Sequence, residues 1–135
     1  MDLELTTPSL RSAAEEVRRR GAKLIISFHD LRGMPSIRDL ETVLRKALRF
    51  GPDVCKIVGT ARSRRDNLTY LSFLADHADT DLVCFAMGRH GVVSRVLSPL
   101  FGGAFTYASA ARGMETAPGQ LTIGALREVY RMLGV

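Results

Sequence analysis

Short apolar runs alternate with longer amphipathic ones along the whole chain, and the two kinds of run carry different periods. Runs of four to nine residues rich in Val, Ile, Leu and Phe predict strands at 2–5 (DLEL), 23–30 (KLIISFHD), 53–61 (DVCKIVGTA) and 81–88 (DLVCFAMG). A weaker fifth strand is predicted at 104–109 (AFTYAS). The intervening segments repeat apolar residues at helical spacing. In 35–51, Ile37, Leu40, Val43, Leu44, Ala47 and Leu48 form one stripe, with Pro35 and Ser36 as start signals and Gly51 as the stop. The segment 7–21 has the same grammar, with Glu15 and Glu16 early, Arg18 to Arg20 in the last turn and Gly21 after it. Helices over 64–78, 91–102 and 122–134 complete the pattern.

Five consecutive β-α units without a linker or low-complexity stretch predict an α/β fold with a parallel sheet. Right-handed crossovers leave two architectures, a doubly wound sheet or part of a (β/α)8 barrel. Side chains alternate along a strand, so Lys56 shares a face with Val54 and Val58, while Cys55 and Ile57 point the other way. A lysine in the middle of an apolar strand is costly unless it is paired or deprotonated, which leaves a structural ion pair or a functional amine. His29 closes the preceding apolar strand, near the carboxyl end where α/β folds build their sites, and Met87 and Gly88 end the next. By itself His29 reads equally as a satisfied core histidine. With Lys56 one strand away, the pair has the makings of a Schiff-base site, an amine nucleophile beside a proton shuttle.

Length and charge narrow the setting. At 135 residues the chain is expected to form one domain, 1–135. Its net charge of +5 comes from arginines spread along the chain, with only Lys23, Lys46 and Lys56 as lysines. That balance favours anionic partners without selecting one. No aromatic platform or known motif for nucleic acid is present, so no nucleic-acid partner is expected. Cys55 and Cys84 lie inside apolar runs without a CxxC pair or ligand cluster, as expected of reduced thiols in a cytoplasmic protein that holds no metal. No run is long enough to cross a bilayer, and no membrane partner is expected.

Five motifs then occur in order: IISFHD, DVCKI, FAMGRHGVVSR, FGGAFTYA and APGQLTIGALREV. Together they resemble the type I 3-dehydroquinate dehydratases, over essentially the whole chain. The resemblance implies a (β/α)8 barrel, strands parallel and helices outside, that dehydrates 3-dehydroquinate to 3-dehydroshikimate without metal or organic cofactor. It implies that Lys56 forms an imine with the substrate ketone and that His29 moves the protons. It also implies that Arg95 pairs with the substrate carboxylate, that Gln120 binds polar groups of the substrate, and that Thr116 stands where the family usually has serine. Met87 and Tyr107 fall at positions lining the pocket, the latter usually Phe. Plainer readings stand beside these: Arg95 as surface charge, Gln120 as a cap on the helix starting at Leu121, Met87 as packing.

A complete barrel of this type needs about 250 residues. The motifs match the family's fourth to eighth β-α units, so the chain is expected to be a partial barrel. The absent units would carry an acidic residue that orients the histidine, and an acid and two arginines that hold substrate. Glu4 is within range of His29 or Lys56 but is expected to make a structural ion pair, and Arg32, Arg62, Arg64 and Arg89 are positional candidates for the missing charge. An open arc exposes sheet edges and apolar interior, so self-association or a second chain completing the barrel is expected. Two five-stranded arcs would bring ten strands, too many for simple closure. A non-catalytic half-barrel that binds a ligand or protein, and a Schiff-base aldolase, are the competing functional readings.

Overall fold

A computed structural model describes every residue except 32, 34 and 35. Pro35 and Arg32 therefore lie outside the described residues. Four strands, β1 (Asp2–Glu4), β2 (Ile25–Asp30), β3 (Val54–Thr60) and β4 (Leu82–Met87), form one parallel sheet in the order β1-β2-β3-β4. Helices α1 (Leu10–Arg19), α2 (Ile37–Leu48) and α3 (Asp66–Asp76) make the crossovers, and α4 (Val92–Leu97) and α5 (Ile123–Leu133) follow β4.

The amphipathic stripes bury where their periods say they should. In α2 the stripe buries Leu40, Leu44 and Ala47 but leaves Ile37 and Leu48 exposed at the two ends. Ser36 caps this helix reciprocally with Asp39: its hydroxyl accepts from the Asp39 amide at 3.2 Å, and its own amide donates to the Asp39 carboxylate at 3.0 Å. Arg18 to Arg20 stay in solvent at the end of α1, and Gly21 follows with φ +69°, a conformation that a Cβ would strain.

The strand pairing registers Glu4 with Ser27, Ser27 with Lys56 and Lys56 with Val83. Because alternate residues face opposite ways, one face of the sheet carries Leu3, Ile26, Ile57 and Cys84 under the helices, where they join a core with Leu40, Tyr70, Phe73 and Leu74. The other face carries a smaller cluster of Val58, Val83 and Phe85, packed by Val54, Met87, Phe105 and Tyr107. Polar groups share that second face.

The fifth predicted strand does not form a ladder. Segment 104–109 makes one hydrogen bond to the edge of β4, from the Ala104 amide to the Leu82 carbonyl, and one bridge at its other end between Ser109 and Thr122. Gly102 and Gly103 turn the chain just before it, and its two ends bond in different directions, so a continuous register with β4 is lost. Phe105 and Tyr107 nonetheless pack on the inner face, which places the segment beside the candidate site. The helix predicted over 91–102 is also divided, α4 passing into a 3-10 turn at Ser98–Phe101 with Pro99 in its first residues. Among the described residues no helix is long and apolar enough to cross a membrane.

Candidate active site

The carboxyl ends of β2, β3 and β4 open onto a cavity of about 270 Å³. His29, Lys56, Met87, Arg95, Thr116 and Gln120 all line it, so the six residues singled out in the sequence converge on one space. His29 and Lys56 lie on the same face of the sheet because Ser27, two residues before His29, registers with Lys56.

His29 is held from β1. Its Nδ1 lies 2.7 Å from Glu4 Oε2, and its backbone amide donates to Glu4 Oε1 at 3.1 Å. Ser27 Oγ donates to the same carboxylate at 3.1 Å. In the tautomer that donates from Nδ1 to Glu4, Nε2 is the acceptor nitrogen of the ring. Glu4 thus holds both the ring and the backbone of His29 from within these residues. The signal was present in DLEL, whose alternation puts Asp2 and Glu4 on one face.

Lys56 contacts Asp2 and Tyr107. Its Nζ lies 3.1 Å from Asp2 Oδ2 and 4.8 Å from the centre of the Tyr107 ring, and only 13% of the side chain is exposed. The ion pair expected as one alternative for this lysine is therefore present, and it leaves the amine at the cavity wall.

Arg95 is the most deeply placed charge of the site. It is 3% exposed, and its Nε and Nη2 have no hydrogen-bond partner among the described residues. Its guanidinium lies over the Phe85 ring at 4.4 Å. Burial draws its pKa below the ordinary value, yet a guanidinium keeps its proton in proteins. A buried cation with free planar donors on a cavity wall is suited to a carboxylate, which the fork can hold in two hydrogen bonds. The surface-charge alternative for Arg95 does not fit this burial.

The far wall is the loop 115–120. Gln120 Oε1 accepts from the Thr116 amide at 2.8 Å and the Thr116 hydroxyl at 3.2 Å, which leaves the Gln120 side-chain NH2 as the donor of the pair. Gln120 does not cap the following helix; that cap is Thr122, whose hydroxyl accepts from the Ala125 amide. Pro118 fastens the loop to β4 by accepting from the Gly88 amide at 3.1 Å, and a Cβ on Gly119 would come within 2.5 Å of the Gly88 carbonyl oxygen. His77 lies elsewhere, bonded to Phe73 and Glu41, and His90 accepts from Arg89. Among the described residues no three His, Cys, Asp or Glu side chains cluster to hold a metal.

The chain is similar to known proteins of one family. The signature of the family described as Type I 3-dehydroquinase matches residues 1–135. The chain is 37% identical over 131 residues to a 3-dehydroquinate dehydratase of Dehalococcoides mccartyi, covering 97% of this chain and 59% of that protein. A 3-dehydroquinate dehydratase of Klebsiella pneumoniae is 34% identical over 139 residues, with 98% and 55% covered. The fold superimposes on the crystal structure of 3-dehydroquinate dehydratase from Geobacillus kaustophilus with a TM-score of 0.89 at 28% identity, covering 98% of this chain and 52% of that one. The type I enzyme from Clostridium difficile, solved with covalently modified comenic acid, gives a TM-score of 0.85 at 27% identity, with 98% and 53% covered. The chain spans between half and three-fifths of the length of these relatives, and it belongs to the type I 3-dehydroquinase family.

Proposed function

We propose that this chain carries the imine-forming part of a 3-dehydroquinate dehydratase site. The observation that carries the reading is the facing of Lys56, His29 and the open donors of Arg95 onto one cavity. Arg95 takes the substrate carboxylate, and the Gln120 amide, fixed by Thr116, binds hydroxyl groups on the same ring. Met87 packs against the ring carbons. The Lys56 amine adds to the ketone and water leaves, giving an imine that takes up one proton from solvent. That imine withdraws electrons from the neighbouring carbon, so His29 Nε2 can take its proton. The electron pair moves into an enamine, then expels the hydroxyl on the next carbon, which departs as water with the proton from His29. Water then cleaves the protonated imine, releasing 3-dehydroshikimate, the free amine and the proton taken up at its formation. Glu4 keeps the His29 ring in the tautomer that accepts at Nε2 and stabilises the ring when it is charged.

The type I relative from Clostridium difficile has been solved with covalently modified comenic acid, which supports covalent chemistry in this family. The free edge of β1 supports a further element of the proposal, that βα units outside these 135 residues pair with it and complete the barrel. Two copies of a four-stranded sheet would supply eight strands, but Ala104 already occupies the Leu82 carbonyl on the β4 edge, which disfavours closure by self-pairing.

The test is borohydride reduction in the presence of 3-dehydroquinate, followed by intact mass and peptide mapping over the three lysines. An adduct confined to Lys56 is the expected result. If folded protein gives none, alone and with a supplied amino-terminal half, the imine reading is wrong and a non-catalytic binding module takes its place.

A further inference from the structure

Arg95 points into the cavity without an acceptor for its Nε or Nη2 among the described residues, so its aim depends on where its backbone stands and on the Phe85 ring beneath it. That backbone belongs to α4, a helix of six residues, too short to hold its own position. What anchors it comes from outside the helix. Asn67, in the first turn of α3, is 2% exposed and uses every hydrogen-bonding group of its amide except one lone pair. Its Oδ1 accepts from the Ser94 amide at 2.8 Å, and its Nδ2 donates to the carbonyls of His90 and Arg64, each at 2.7 Å. The Ser94 amide is one of the donors that the first turn of a helix leaves unpaired, and Asn67 satisfies it from the neighbouring element. Ser94 passes the restraint to the sheet, its hydroxyl accepting from the Ala86 amide at 3.0 Å and donating to the Gly91 carbonyl at 3.0 Å.

We infer that Asn67 is a positioning residue for the carboxylate-binding Arg95. It ties α3, the loop at His90 and the residue preceding Arg95 into one buried junction, so that the guanidinium is aimed before substrate arrives. Pre-aiming matters here because a side chain without its own acceptor must otherwise be ordered at the moment of binding, which weakens binding. No shorter side chain spans all three partners, and an apolar one takes from the Ser94 amide and the His90 carbonyl the partner that Asn67 gives them, while the Arg64 carbonyl keeps the Asn67 backbone amide. The role deepens the reading of Arg95 given above and rests on it.

The experiment reads Arg95 directly and needs no turnover. The Arg95 Nε–H signal is assigned in the 15N-edited spectrum of the full chain by its loss in Arg95→Lys, and its hydrogen exchange is measured in Asn67→Ala, in Asn67→Asp and in Leu44→Ala. The last removes buried core under α2, away from the junction, and controls for lost stability. Protection at Arg95 is expected to fall about tenfold in Asn67→Ala, the equivalent of about one buried hydrogen bond, and to stay within about twofold in Leu44→Ala. Asn67→Asp keeps an acceptor for the Ser94 amide and is expected to retain more protection than the alanine variant; it also serves if the latter does not fold. Unchanged protection in both Asn67 variants, or an equal fall in Leu44→Ala, overturns the inference. A failure of the imine reading would show separately, as absence of the Lys56 adduct in unsubstituted protein with Arg95 still protected.

Discussion

The two faces of the sheet are built from the same strands and have opposite characters. Beneath the helices, Ile26 and Ile57 are buried against Phe73 and Leu74 of α3, and the two thiols are sealed among them. On the other face the apolar cluster shrinks to Val58, Val83 and Phe85, and Glu4, His29, Lys56 and Arg95 surround it. The difference teaches that stability and chemistry are assigned to alternate residues of each strand. One face gains free energy by excluding water, while the other keeps charges that a packed core would not tolerate.

Breaking the chemical face at its centre has the largest expected effect. Lys56→Arg keeps the cation beside Asp2 but lacks a nucleophilic amine, and is expected to abolish borohydride-trapped adduct and dehydration while the far-UV spectrum is unchanged. Glu4→Gln retains a hydrogen-bond acceptor but not the charge that stabilises protonated His29. On the proposed reading, and with a supplied amino-terminal half, it is expected to lower kcat at least about tenfold with little change in KM, measured by the absorbance of the conjugated product.

The helical face answers to denaturant instead. Phe73→Ala is expected to cost about 3–5 kcal/mol by urea unfolding, since a buried ring leaves a cavity. Arg95→Met sharpens the contrast by moving stability the other way. Replacing a buried, unpaired guanidinium by an apolar chain is expected to raise stability by about 1–3 kcal/mol while substrate capture is lost. A fall in stability would mean that Arg95 has a structural task.

A graded effect is expected in alkali. Burial pushes the Cys55 thiol up to about 11 and raises Cys84 as well. The folded state then keeps a proton that the unfolded state has lost. The contribution is intact below about pH 9 and falls at up to about 1.4 kcal/mol per pH unit for each thiol as pH rises toward the folded values. Urea midpoints measured from pH 8 to 11 check this, and Cys55→Ala should flatten the slope.

Legibility from sequence followed the range of the interactions. Four strands and their helices were readable because local alternation and capping, as at Ser36 and Asp39, depend on residues a few places apart. Segment 104–109 was misread for the complementary reason. Its composition suits a strand, but a strand exists only where a partner offers continuous register, and here its two ends bond to different neighbours.

The sequence by itself determined that Lys56 and its apolar neighbours share one face, that His29 closes a buried strand, and that the motif order is that of the type I family. Those properties are carried by period and by residue identity. Only the tertiary structure decided that Glu4 holds His29 across 25 positions, that Arg95 is buried with open donors, and that Asn67 fastens the helix bearing it. Each depends on strand register and helix packing, which bring together residues whose separation along the chain carries no periodic signal.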